Sequence, residues 1–198
     1  MALLFGDSTK PPLMDASMQA SMRRRVSEIW GLGFLGVALL LGMALWSYDI
    51  GDPSPLNATT QPAVNWLGEI GAAAADILTR YTGLGIWALV LFCAVWAVRF
   101  ILHIGEDRIW ARLIPAVPFI ALAPVFASTH AVFEAWPFSH TGLGGIFGDT
   151  GARILLDAIP LPDGQALVVL GLGLGLIMLV VGGMALGFTA AEVGAIWI

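Results

Sequence analysis

The sequence predicts an all-α membrane protein: four transmembrane helices in two hairpins, short amphipathic periplasmic helices between the members of each hairpin, and both chain ends in the cytoplasm. Three observations predict it. Hydrophobic residues make up 58% of the chain and charged residues 12%, with a mean hydropathy of +0.86, whereas in a soluble domain about a quarter of residues are charged. Four uncharged runs are each long enough to cross a bilayer, which takes about twenty apolar residues at ~1.5 Å of rise per residue. Of the nine Lys and Arg, Lys10, Arg23, Arg24, Arg25, Arg99, Arg108 and Arg112 fall on one side of the resulting topology and Arg80 and Arg153 on the other. Basic residues beside a span stay in the cytoplasm, so both ends face inward.

Residues 1–28 read as a cytoplasmic tail. Its end is a helical run-in, because Met18, Met22 and Val26 recur at a spacing of four. The first span, 29–48, lies between Glu28 and Asp49 and follows Arg23-Arg24-Arg25. It exceeds the apolar core of a cleaved secretion signal, about 7–15 residues, and no A-x-A-like site follows it. Segment 49–80 is periplasmic. Its beginning, YDIGDPSPLNATTQP, carries acidic residues, Gly51 and prolines that favour turns over helix. A helix is expected over 62–81, with Pro62 at its first position and Trp66, Ile70, Ala74, Ile77 and Tyr81 about one turn apart on an apolar face. Asp76 and Arg80 are spaced to pair on its other side. Such a helix is too polar to span, and its place is the membrane surface or the outer ends of the spans.

The second span covers 81–98 and the third 113–133, joined by a cytoplasmic turn, HIGEDRIWA. Pro115, Pro118 and Pro124 each remove a backbone donor from the third span, which predicts a kink or irregularity near its inner end. A second periplasmic segment, 134–165, contains a short helix over 149–159, capped by Asp149, with Asp149–Arg153 and Arg153–Asp157 at pairing distance. The fourth span covers 166–187, and 192–198 begin a cytoplasmic linker. At an offset of 77 residues, GEIGAAAADIL from Gly68 echoes GIFGDTGARIL from Gly145. If that echo is a repeat, the chain is two copies of span, loop, short helix, span, pointing the same way.

Several function classes are disfavoured by the residues themselves. A net charge of −5 with one lysine does not suit a nucleic-acid surface, so no direct nucleic-acid contact is expected. Catalytic, cofactor-binding and metal-binding residues are all expected to be none. His103, His130 and His140 have no ligand-like partners at short spacing, neither glycine run is a phosphate loop, and no ionisable residue lies in the middle of a span as coupled carriers need. Cys93 sits in an apolar run and reads as a small buried hydrophobe. Glycines 171, 173, 175, 182, 183 and 187 stripe the fourth span, with G-x-x-x-G at 171/175 and 183/187, and mark a face for close packing, favoured as an internal contact over one with another subunit.

The runs SYDIGDPSPLN at 47–57, NWLGEIGAAAADIL at 65–78 and GGIFGDTGARILL at 144–156 resemble the four-span N-terminal membrane domain of the FtsK/SpoIIIE family of bacterial DNA translocases. The resemblance is carried by Ser47, Tyr48, Asp52, Pro53, Ser54, Asn65, Gly68, Gly71, Ala72, Ala75, Asp76 and Leu78, and covers about residues 25–190. It implies an anchor that fixes a hexameric, ATP-driven DNA pump to the inner membrane at the division septum. The anchor links division to chromosome segregation, with the lipid bilayer and other division proteins as partners and a homo-oligomer formed through the motor. ATP and Mg would belong to that motor, whose P-loop these 198 residues do not contain, so the chain itself is expected not to be an enzyme and to be part of a longer protein. Trp66, Ile70 and Ile77 are candidates for membrane or partner contact, with packing against the chain's own spans as the plainer alternative. The rival from another class is a stand-alone multispan subunit, either an accessory chain of a membrane complex or half of a transporter.

Overall fold

In a computed structural model of the protein, the described residues are 16–105, 109–138 and 140–188. Lys10, Arg108, Ser139 and the linker 192–198 lie outside them. Among the described residues the secondary structure is helical, with no strand: α1 (Ala16–Trp46), α2 (Gly68–Thr82), a 3-10 turn (Gly83–Ile86), α3 (Trp87–Ile101), α4 (Ile109–Ala127), α5 (Gly145–Asp157) and α6 (Asp163–Ala185). Four helical stretches are long and apolar enough to cross a membrane: α1 from Ser21, the run from Gly68 to Ile101, α4, and α6 from Gly164.

α1 takes in the Met18, Met22 and Val26 run-in, all three of which are exposed, so the tail helix and the first span are one rod. It packs antiparallel to α3, with Gly31 against Phe100 and Ile101 and Gly42 against Val90. α4 and α6 form the second antiparallel pair, where Gly171, Gly175 and Gly182 face Thr129, Phe126 and Phe119. The 171/175 face is therefore an internal contact, while Gly173 and Gly183 meet nothing and Gly187, at φ +83°, lies against Arg99. α2 and α5 pack on each other at one end of the bundle, which we call the α2/α5 end.

The sequence echo has a structural counterpart. Gly68 and Gly145 each open a short helix at φ +65°, a left-handed conformation that a side chain disfavours. Each N–H returns to the carbonyl three residues back, Asn65 or Gly142. Both halves run span, loop, short helix, span in the same sense.

The core at the far end is aromatic. Phe92, Trp96 and Phe100 of α3 are buried against Phe119 of α4, and Phe34 of α1 stacks on Phe100 at 5.7 Å. Trp96 is 1% exposed, and its Nε1 donates to the Ala185 carbonyl at 2.9 Å. Arg112 Nη1 donates to the Met184 carbonyl at 3.0 Å. These are last-turn carbonyls of α6, which have no partner within their own helix, and a cation there also suits the helix dipole.

The structure corrects four expectations. Residues 62–67 are not helical, and α2 begins at Gly68: 62–64 are irregular and 65–67 turn into the helix, both held by the hydrogen bonds described below. The third span ends at Ala127, and 128–133 form a turn and loop, since Ser128, Thr129 and His130 close turns onto Pro124, Phe126 and Ala127. Pro115, Pro118 and Pro124 all lie inside α4. The short helix covers 145–157 and not 149–159; Asp149 lies inside it and does not cap it.

Pro124 is the point of closest approach. A Cβ on Gly85, Gly144 or Gly148 would fall on its backbone, so the 3-10 turn and the start of α5 both sit on α4 there. A carbonyl cannot swing aside as a side-chain tip can. Gly148→Ala is expected to destabilise the protein by about 2 kcal/mol through overpacking, whereas Gly183→Ala, with open space around it, should cost nothing and gain up to about 1 kcal/mol of helix propensity. Thermal unfolding in detergent micelles measures both.

Candidate functional site

The residues that carry the family resemblance converge at the α2/α5 end. Between α1 and α2 the chain has twenty-one residues of loop, 47–67, and this loop is stapled to the helices by two buried carboxylates. Asp52, 4% exposed, accepts from the backbone N–H of Val64 at 2.7 Å and of Asn65 at 3.0 Å, which closes the loop on itself. Asn65, also buried, sends its Nδ2 to the Ala44 carbonyl at 2.8 Å and the Ser47 carbonyl at 3.2 Å. Its Oδ1 accepts from Leu67 N. One side chain thus joins the last turn of α1, whose carbonyls lack helical partners, to the entry of α2. Gly71 is required beside it, because a Cβ there would meet Asn65 Oδ1.

Asp76, one helical turn further on and 3% exposed, receives three donors. Tyr48 Oη donates to Oδ1 at 2.8 Å, Arg80 Nε to Oδ1 at 2.6 Å, and Ser54 Oγ to Oδ2. The Asp76–Arg80 pair expected from spacing is formed, but on the buried face of α2 and not on a solvated one. Buried charges persist when paired and hydrogen-bonded, and Asp76 is both. The half-buried Tyr48 phenol is pushed well above its usual pKa, first by loss of solvent and then by its hydrogen bond to Asp76, so it remains a donor.

The second half contributes from above. Arg80 lies over the Phe138 ring at 5.1 Å, and Tyr48 meets the same ring at 6.2 Å. Trp136 Nε1 donates to the Thr141 carbonyl. Asp149 repeats the clasp on a smaller scale, accepting from Ser128 Oγ at 2.6 Å and Gly142 N at 2.7 Å, so its carboxylate ties α5 to the loop after α4 and not to Arg153. Between the two loops lies a cavity of about 290 Å³ edged by Tyr48, Thr79, Trp87 and Trp136.

The carboxylates of this arrangement, Asp52, Asp76 and Asp149, are all engaged by donors of the protein itself, so it holds backbone in place. Among the described residues no group of three His, Cys, Asp or Glu is placed to hold a metal ion. His103, at φ +56°, stands 3.6 Å from Glu28 at the far end, and His130 lies on Phe126; the structure does not bring them together. Cys93 is buried in the core. Of the contact candidates, Ile70 is 84% exposed, Trp66 63% and Ile77 38%. The apolar stripe of α2 therefore faces outward, and its buried face is Gly71, Ala72, Ala75, Asp76 and Thr79. Small residues bury because they admit close neighbours, and the bulky stripe is left to face lipid or a partner.

Two contributors escaped the sequence reading. Asn57 bridges the Ile50 and Asp52 carbonyls, both at 3.0 Å, a role its place four residues after Pro53 in a turn-rich run could have suggested. Phe138 comes from the other half of the chain, and no local signal ties it to Arg80.

Residues 23–193 match the family described as the 4TM region of DNA translocase FtsK/SpoIIIE. The chain is 37% identical to the DNA translocase FtsK of Bradyrhizobium diazoefficiens over 137 residues, 69% of this chain and 16% of that protein. It is 35% identical to the one of Brucella melitensis over 133 residues, 67% of this chain and 16% of that protein. With the one of Azospirillum brasilense it shares 29% identity over 191 residues, 92% of this chain and 30% of that protein. The chain thus spans a minor part of the relatives it matches. No solved structure matches it.

Asp76→Ala should cost about 3 kcal/mol, because it leaves Arg80 unpaired against protein, whereas Ile70→Ser should change stability by less than about 0.5 kcal/mol; thermal unfolding in detergent compares them. Tyr48 also gives a signature in pH. A phenol whose folded pKa is raised contributes stability in full below its unfolded value of about 10 and loses it as pH rises further. The wild type should therefore lose more stability than Tyr48→Phe between pH 9 and pH 11, roughly the range around that value.

Proposed function

The chain belongs to the FtsK/SpoIIIE family as the membrane domain of a DNA translocase, and from that premise we propose that it tethers the motor to the inner membrane at the division septum, linking division to chromosome segregation. The observation that carries this reading is the match over 23–193 to a four-span region, on a chain with four stretches able to cross a membrane. In this reading ATP hydrolysis, with its ATP and Mg, and DNA contact belong to the motor of the whole protein, which would assemble as a homo-oligomer. The membrane domain supplies position.

The distribution of arginines supports an N-in, C-in orientation. Arg23, Arg24, Arg25, Arg99 and Arg112 all lie at the far end of the bundle, which in this orientation is cytoplasmic, and the α2/α5 end is periplasmic. The periplasmic end then presents the outward stripe of Trp66, Ile70 and Ile77 on a clasped, rigid base, a surface suited to other division proteins. A rigid base lowers the ordering entropy that binding there must overcome.

Deleting 23–193 from the full-length protein should release a fluorescently tagged motor from membranes and from midcell. A tagged motor that still gathers at midcell places the tether elsewhere. Thr60→Cys and His140→Cys should react with a membrane-impermeant maleimide in intact cells, and Met22→Cys should not; the reverse pattern inverts the orientation.

A further inference from the structure

α6 is the last of the described helices, and its two ends are held differently. Its start has no side-chain cap; Gln165 and Ala166 return their N–H groups to the Pro162 carbonyl. Its end is gripped residue by residue. Gly187, at φ +83°, and Phe188 close the helix in a Schellman turn: Gly187 N–H donates to the Met184 carbonyl at 3.2 Å and Phe188 N–H to the Gly183 carbonyl at 2.9 Å. The Met184 carbonyl also takes Arg112 Nη1 of α4, and the next one, that of Ala185, takes Trp96 Nε1 of α3. Three residues along α3, Arg99 reaches over the Trp96 ring at 6.0 Å and the Phe188 ring at 5.8 Å, and Gly187 lies against its guanidinium.

α6 otherwise packs on α4 and α5, in the second half of the chain, whereas Trp96 and Arg99 belong to the first. The grip therefore ties one point of α6 to both antiparallel pairs. Such a tie changes how a helix responds to tension. A helix pulled from its C-terminus loses its turns in sequence from the last, because the final carbonyls have no helical partner and the end frays. At α6 the carbonyls of 184 and 185 are bonded to two other helices, so the last turn cannot peel until those bonds break together. Nor can it peel without disturbing Trp96, the most deeply buried large side chain among the described residues.

We propose that the end of α6 is a load-bearing clamp. Trp96 and Arg112, backed by Arg99, are positioning residues that pass tension on the chain beyond Phe188 into α3 and α4. Both helical pairs then carry the load, and the last turn of α6 does not unravel. This rests on the tether reading, in which a motor follows Ile198 through a linker and the reaction to its pull on DNA returns along that linker.

The test uses the full-length protein in surface-held lipid nanodiscs, with a peptide handle for enzymatic ligation inserted in the linker after Ile198 or, separately, before Ala16. Magnetic tweezers apply a constant force to either handle and read the time to the first extension step. Arg112→Met keeps the apolar stem and removes the donors at a partly exposed position, so the core stays intact. Pulled from the linker, it should shorten that time about tenfold, the worth of one hydrogen bond from a charged group. Trp96→Phe, which keeps a ring and loses the N–H, should shorten it about fivefold, and Arg112→Lys, which keeps a cationic donor, should recover most of the wild-type time. Pulled from the handle before Ala16, all three should match wild type. Equal shortening from the two handles makes these residues general stabilisers of the fold, and unchanged times from the linker handle put the load on another path; either overturns the proposal. Neither depends on where the protein gathers in cells, so the clamp and the septal tether fail separately.

Discussion

Where a helix ends away from water, in hydrocarbon or buried in protein, its orphaned N–H and C=O groups must be met by the protein. This constraint organises the molecule. At the end of α1, Asn65 takes the Ala44 and Ser47 carbonyls. At the end of α6, Trp96 and Arg112 take those of Ala185 and Met184. The loop of 47–67 is the longest irregular stretch between described helices, and two carboxylates, its own Asp52 and Asp76 of α2, are buried against it to satisfy backbone and side-chain donors. A buried carboxylate with several well-placed donors fixes geometry more strictly than an apolar contact, since displacement leaves charge without a partner.

Close helix approach depends on a second means. Water does not drive helices together in lipid, and packing must do so by contact. Glycines at 31, 171, 175 and 182 bring the two hairpins shut, and those at 85, 144 and 148 let a turn and a helix start rest on Pro124. The repeated glycine at positive φ, Gly68 and Gly145, lets each short helix leave its loop in the same way. The two halves are thus built on one plan, but not with one chemistry. The first half is clasped by two aspartates, an asparagine and a tyrosine, and the second by Asp149 with Ser128.

These features describe a membrane domain whose two ends are each closed by hydrogen bonds. The clasp holds the α2/α5 end while leaving the bulky stripe of α2 outward, and the aromatic core with Trp96 holds the far end. What remains open is apolar: the exposed faces of α1 and α6, which a soluble protein would not tolerate and which lipid solvates.

The sequence by itself determined the number of spans and the helical class, because twenty uncharged residues carry that information without any knowledge of neighbours. It also marked which residues matter at the α2/α5 end, through the order of Ser47, Tyr48, Asp52, Ser54, Asn65, Gly71 and Asp76. Periodicity misjudged the start of α2, since residues 62–67 follow a helical spacing but are kept out of helix by Asp52, which takes the Val64 and Asn65 N–H groups from twelve and thirteen residues away. It likewise read Asp149 as a cap, when the structure uses it to reach back to Ser128. Which face of α2 turns inward was decided only in three dimensions. Pattern alone would bury the large apolar stripe; the tertiary structure buries alanine, glycine and a paired aspartate instead, because in lipid the apolar stripe gains nothing by hiding, whereas the charge does.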